Sequence, residues 1–157
     1  MAAFDVIVIG LGAMGSAAAE TLARQGLDVL SIDRFGPGHT LGPSHGRPPA
    51  LRLAAHEDPL YVPLLRRATQ LWRELERRAR EPLFTVTGAL DLGRNVGSDL
   101  IEGTLRAARE HGLMHEVLDR DEIQRRFPVF GVPNSYVGVW QPDAGFLRPE
   151  PALRAYQ

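Results

Sequence analysis

Apolar positions along the chain fall into two rhythms. Residues 4–9 of "FDVIVIG" run apolar with little alternation, which predicts a short strand buried on both faces. Residues 15–25 are rich in alanine and follow a helical pattern that Gly26 closes, and residues 28–32 form a second apolar run. Strand, helix and strand within about thirty residues predict a βαβ unit with parallel strands and a right-handed crossover.

Beyond a loop crowded with Gly, Pro and His at residues 34–52, the period changes. Pro63 sits where a helix can start, and Leu64, Leu65, Ala68, Leu71, Trp72 and Leu75 recur at helical spacing opposite a solvated face of arginine and glutamate. Residues 84–92 read as a strand. Ser98 is placed to cap a helix running to Gly112, and residues 113–118 read as a further strand. Asp119 and Glu122 have the spacing of a capping box for a short helix that ends near Pro128. Residues 136–140 are strand-like, "QPDAG" is a turn, and "RPEPALRAYQ" opens an amphipathic helix. The chain stops a few turns into that helix, which predicts a truncated protein.

Composition narrows the chemistry. The 157 residues are 44% apolar and 24% charged, an ordinary globular balance. A net charge of -1 provides no global field for nucleic acid or an anionic membrane. All 18 basic residues are arginine, which reads as a bias of coding composition. With no cysteine there is no disulfide, thiolate metal site or cysteine nucleophile within the chain. The five histidines, His39, His45, His56, His111 and His115, show no useful metal-ligand spacing, because Gly112 interrupts the pair four residues apart. No leader and no run of membrane-spanning length is visible, so a cytoplasmic protein with no membrane partner is expected.

The glycines behind the first strand carry the strongest signal. Gly10, Gly12 and Gly15 form G-x-G-x-x-G at a strand-to-helix turn. The first permits the turn, the second lets a pyrophosphate approach the backbone, and the third lets helix and strand pack closely. The helix N-terminus then offers N–H groups and partial positive charge to phosphates. Asp33, 23 residues after Gly10 at the end of the second strand, is placed to accept ribose hydroxyls and to repel the extra phosphate of NADP. The bland alternative is a sharp turn with Asp33 as a strand terminator. Both NAD and FAD fit this unit, and the long loop after the second strand favours an extended cofactor, FAD.

Taken together, "FDVIVIGLGAMGSAAAETLARQGLDVLSIDRF", "GPSHGR", "LRLAAHEDPLYVPLLRRATQLWRELE" and "PDAGFLRPEPALRAYQ" resemble the N-terminal part of the monomeric sarcosine oxidase and N-methyl-tryptophan oxidase family, within the wider D-amino-acid oxidase group. The resemblance implies FAD as cofactor. It also implies oxidation of the C–N bond of an N-methyl amino acid by oxygen, to an imine and hydrogen peroxide. The expected fold class is α/β: a Rossmann-like FAD-binding βαβ unit with a parallel sheet, plus the beginning of an α+β substrate domain. Residues 1–82 would hold the FAD unit, flavin loop and following helix, 83–144 a partial substrate domain, and 145–157 a helix returning to the FAD unit.

By the same resemblance, Gly10, Leu11, Gly12, Ala13, Met14, Gly15, Asp33, Arg34, Gly42, Ser44, His45 and Gly46 are the expected cofactor-binding residues. Of these, Ser44, His45 and Gly46 match a loop beside the flavin. Arg52 is the expected catalytic residue, matching an arginine near the ring that holds the substrate carboxylate. On the residues alone, His45 reads equally as a hydrogen-bonded loop histidine, and Arg52 as the surface partner of Glu57 or Asp58. Trp72 and Trp140 read as core. Pro48 and Pro49 stand where the family has a Thr-Arg pair, which stiffens the loop and removes two N–H donors. The family's flavin-tethering cysteine and oxygen-assisting lysine lie in its later half, and this chain contains neither residue type. The expected partners are an amine substrate, oxygen, and a complementary C-terminal polypeptide or self-association through an open sheet edge. Low turnover by the chain alone is expected. A non-catalytic nucleotide-binding module and an NAD-dependent reductase are the alternatives.

Overall fold

The computed structural model describes residues 3–36, 39, 41–42, 44 and 46–156. The chain divides into two compact units: residues 1–49, 75–83 and 147–157, and residues 50–74 and 84–146. Only the last three residues of the long loop, 50–52, and most of the helix after it belong to the second unit.

In the first unit, β1 (Val6–Ile9) and β2 (Val29–Ile32) pair in parallel, with Val6 opposite Val29 and Ile9 opposite Ile32. Between them runs α1 (Ala13–Arg24), closed where Gly26 takes φ +87°. Parallel strands need such a crossover because a tight hairpin cannot reverse the chain twice. A Cβ on Gly15 would fall on the carbonyl oxygen of Gly10 and touch Val8, so this glycine is what lets α1 lie against β1. The buried Ser16 hydroxyl donates to the Leu11 carbonyl at 2.8 Å, fastening the turn to the helix. The last helix, α5 (Pro149–Tyr156), also packs on α1.

The strand β1 is not buried on both faces as the apolar run implied. Its exposure alternates, with Ile7 at 57% and Ile9 at 83%. Only the face bearing Val8 meets α1, and no described element of this unit covers the other. The continuous apolar pattern therefore marks a strand that is able to be buried on both sides rather than one that is.

The second unit holds two three-stranded sheets. One has the order β3 (Ala50–Leu51), β8 (Gly145–Leu147), β4 (Phe84–Val86), and the other β5 (Ala89–Gly93), β7 (Val137–Gln141), β6 (Glu116–Leu118). β7 is antiparallel to both neighbours, with Asp91 and Val117 flanking Val139. Helices α2 (Tyr61–Ala79), α3 (Asp99–Glu110) and α4 (Arg120–Arg126) follow in chain order, and α5 (Pro149–Tyr156) ends the chain. Ile101 and Leu105 of α3 pack on Val139, and Ala107 and Ala108 pack with Val62 and Ala54.

Three local expectations change. The single strand over 84–92 is two strands, broken where Gly88 takes φ +72° and where Thr87 and Gly88 both donate N–H to the Ala144 carbonyl. In α2 the helical stripe is only partly buried: Val62 and Leu75 are inside, whereas Leu64 and Leu71 are exposed. Ser98 stands at the N-cap of α3, but its hydroxyl donates to Asn95 O at 2.9 Å instead of accepting from the helix. Asp119 does cap α4, accepting the Glu122 N–H at 2.8 Å. Trp140 is half-buried against Phe127, and Trp72 is also half-buried.

Candidate functional site

The turn after β1 builds a cavity of about 780 Å³ wholly within the first unit. Gly10, Leu11, Gly12, Ala13, Met14 and Gly15 line one side, Asp33 and Arg34 another, and Gly42 and Ser44 a third. Gly10 adopts φ +93°, a conformation costly for any residue with a Cβ, and so aims the chain into the first turn of α1. Gly12 is the N-cap of α1 and offers no capping side chain, and that turn contains no acid. The helix thus brings no capping side chain or acid of its own to the turn, and the positive end of its dipole faces the cavity.

Asp33 closes the opposite side. One carboxylate oxygen accepts the N–H of Leu11, and the other accepts the N–H of Phe35 at 2.9 Å. These backbone donors, Leu11 first, hold its carboxyl below the ordinary value of 3.8, so the group is ionised at neutral pH. His39 approaches the second oxygen at 3.5 Å and adds to the same effect. The imidazole is itself placed by the Leu41 N–H, which donates to Nδ1 at 3.1 Å, and by a tilted contact with Phe35 at 4.9 Å between centroids. Ser44 reaches across from the loop, its Oγ accepting the Ala13 N–H at 3.0 Å. A Cβ added to Gly12 would stand 3.2 Å from that hydroxyl.

Sequence patterning did not single out the rest of the lining: Ile9, Ile32, Phe35, His39, Leu41 and Leu153. His39 had been weighed only as a metal ligand. Its proximity to Asp33 depends on the path of the loop, which no spacing rule encodes. His45 lies outside the described residues. Gly46 and Arg52 do not line this cavity.

Arg52 belongs to the second unit and lines a separate cavity of about 380 Å³ with Ala50, Ala55, Glu57, Tyr61 and Leu65. Its Nη2 lies 2.8 Å from His56 Nδ1 and 3.3 Å from Glu57 Oε1. The expected pairing with Glu57 is therefore present, joined by a histidine that sequence reasoning did not place there. Among the described residues, no group of three or more His, Asp or Glu side chains could hold a metal ion. No helix among them is long and apolar enough to cross a membrane.

Comparison with known proteins decides the family. Residues 5–157 match the family described as FAD dependent oxidoreductase. The chain belongs to that family. It is 43% identical over 154 residues to monomeric sarcosine oxidase of Bacillus sp. (strain B-0618), covering 98% of this chain and 40% of that protein. It is 39% identical over 151 residues to N-methyl-L-tryptophan oxidase of Yersinia pestis (strain Pestoides F), with 96% and 40% covered. Among solved structures, an open form of a point mutant of NikD, an unusual amino acid oxidase essential for nikkomycin biosynthesis, superposes with TM-score 0.84 at 31% identity. That match covers 98% of this chain and 39% of the NikD chain. The chain thus spans about 40% of the length of the curated relatives it matches.

Membership in the FAD-dependent oxidoreductase family resolves the choice between NAD and FAD that the glycine motif left open. The cavity suits such a cofactor. Its volume falls within the range of about 300–1,000 Å³ usual for small-molecule sites. It also combines a helix N-terminus that has no acid in its own first turn with an ionised carboxylate, and these match a diphosphate and a diol.

Proposed function

We propose that the chain is the cofactor-binding portion of an amine oxidase of the sarcosine oxidase type, acting on the C–N bond of an N-methyl amino acid. Oxidising that amine to an imine removes two electrons and two protons, for which FAD would supply the redox chemistry when bound. Oxygen accepts them in turn, giving hydrogen peroxide and an imine that water hydrolyses to formaldehyde and the demethylated amine.

This chain's own residues bind and orient. The amides of Gly12 and Met14, and that of Ala13 on release from Ser44 Oγ, hold the diphosphate, and Asp33 accepts hydrogen bonds from the ribose hydroxyls. Leu11, Gly15, Arg34, Gly42 and Ser44 complete the cradle, while the segment at Gly46 would run beside the flavin. Arg52 holds the substrate carboxylate through its planar fork. Substrate, oxygen and either a complementary C-terminal polypeptide or a second copy of the chain are the partners in this reading.

The observation that carries it is the convergence of the glycine turn and an ionised Asp33 on one cavity of about 780 Å³. Quenching of flavin fluorescence on adding the chain to FAD tests it, with Asp33→Ala as the weakened control. Unquenched FAD, or quenching indifferent to Asp33, overturns the cofactor site. Sarcosine-dependent peroxide, with a polypeptide supplying the remaining length of the relatives, tests the activity.

A second reading is favoured by Pro48 and Pro49, both exposed and lacking N–H donors in the loop. In that reading the unit binds the nucleotide without catalysis. FAD quenching with no peroxide from the complemented protein selects it.

A further inference from the structure

The Arg52 fork is half satisfied. Its Nε is buried and has no hydrogen-bond acceptor among the described residues. Nη2, on the same edge of the planar guanidinium, is the atom engaged by His56 and Glu57. That edge, Nε with Nη2, is one of the two that grip a carboxylate side-on.

A guanidinium has donors only. The 2.8 Å contact therefore requires His56 Nδ1 to accept, which makes the imidazole neutral with its proton on Nε2. The same Nδ1 lies 3.3 Å from Glu57 Oε2. Protonation removes the acceptor from Arg52, places a second cation beside the guanidinium, and turns Nδ1–H toward Glu57. Glu57 must then divide its carboxylate between two cations. Asp58 follows on the same segment, and on α3 the backbone of Gly103, next to Glu102 in sequence, packs against the His56 carbonyl. Tyr61 of α2 lines the Arg52 cavity, and Arg106 lines the adjoining groove with Asp58, Glu110 and His111.

We propose that His56 is a positioning residue that determines whether the Arg52 fork is open to a carboxylate in the 380 Å³ cavity. Neutral His56 occupies one of the two donors a carboxylate needs, and protonated His56 releases it. The proposal rests on the reading of Arg52 as the holder of a substrate carboxylate, and it adds the residue that competes for that holder. The ligand class is a small carboxylate with an apolar neighbour for Ala50, Ala55 and Leu65.

The test is titration of the full chain with sodium propanoate at constant ionic strength, followed through the methyl signal of the propanoate by ligand-observed NMR at about pH 6 and about pH 8, the span over which histidine changes charge. The chain should bind propanoate several-fold more tightly at the lower pH. His56→Leu should bind equally well at both, and His56→Asn, which keeps an acceptor that does not titrate, weakly at both. The His56 side chain is 33% exposed, so neither variant empties a core position. Binding that Arg52→Gln abolishes, but whose affinity and pH profile are the same with and without His56, overturns the proposal and leaves Arg52 in its role. No binding, or binding indifferent to Arg52→Gln, overturns the carboxylate reading itself and the proposal with it.

Discussion

The carboxylate of Asp33 reaches back across 22 positions of sequence to accept the backbone N–H of Leu11, tying the end of β2 to the glycine turn after β1. The residue proposed to grip a ribose is therefore also a brace for the loop that cradles the diphosphate. Removing the side chain should loosen both halves of the site at once.

That brace is ionic, which gives it a pH signature. The N–H groups of Leu11 and then Phe35 hold the Asp33 carboxyl below 3.8 in the folded chain. A carboxyl depressed on folding stabilises the fold above its unfolded value and loses that contribution as pH falls through its folded value. Urea midpoints of the chain and of Asp33→Asn should thus differ most near neutral pH and converge below about pH 4. A constant gap down to the acid limit would mean the brace does not depend on charge. In the same variant the Kd for FAD should rise about tenfold or more, as expected for loss of a charged acceptor.

Two glycines of the first unit separate close approach from backbone conformation. Gly15→Ala places a methyl on the Gly10 carbonyl oxygen, so α1 must move off β1. Gly26→Ala meets nothing within 4 Å but must hold φ +87°. Overpacking predicts a cost of about 2 kcal/mol or more for the first, and a left-handed alanine about 1 kcal/mol for the second. FAD binding should survive Gly26→Ala and be lost in Gly15→Ala. Equal effects on stability and binding would deny the packing role of Gly15.

Gln141 provides the corresponding test in the second unit. It is 4% exposed, accepts the Ala54 N–H at 3.0 Å, and donates to Ala54 O at 3.4 Å and Asp91 Oδ2 at 2.8 Å. Gln141→Leu fills similar volume but strands the Ala54 N–H and leaves Asp91 Oδ2 with the longer bond from Thr104 Oγ1 at 3.4 Å. The penalty for unsatisfied buried groups is about 1–3 kcal/mol. Equilibrium urea unfolding measures it, and a change below about 0.5 kcal/mol would show that water or Thr104 replaces the amide.

What the sequence made legible follows from how local each cause is. The βαβ unit was readable because glycine conformation, helix closure at Gly26 and the position of Asp33 are set by neighbours within a few residues. The Ala54–Gln141 bond joins residues 87 apart, and no periodicity carries such a pairing. Leu64 and Leu71 show the opposite failure. Helical spacing identifies a possible inner face, but burial depends on whether another element arrives there. His39 and His56 were visible as histidines but had no assigned use, because their partners are fixed by loop paths. The break at Gly88 was hidden since "FTVTGALDL" keeps enough β-branched and apolar residues to read as one strand.

The uncovered face of β1 and β2 carries the last prediction. Ile7, Ile9 and Ile32 are 57%, 83% and 46% exposed, on a sheet of two strands whose outer edges are unpaired among the described residues; Ile9 and Ile32 line the cofactor cavity, which leaves Ile7 as the apolar position outside it. Apolar area left in water contributes about 25 cal/mol per Å² when it is covered, and free strand edges add backbone donors and acceptors to any contact. The chain should therefore self-associate, with a concentration-dependent sedimentation coefficient. Ile7→Lys should suppress this, because a lysine on that face opposes strand addition and Ile7 does not line the cofactor cavity. FAD quenching by the variant should match that of the unaltered chain. A polypeptide spanning the remaining length of the relatives should compete with self-association if it covers the same face. A chain that sediments as a monomer at every concentration, with Ile7→Lys indistinguishable from it, would show that this face needs no partner.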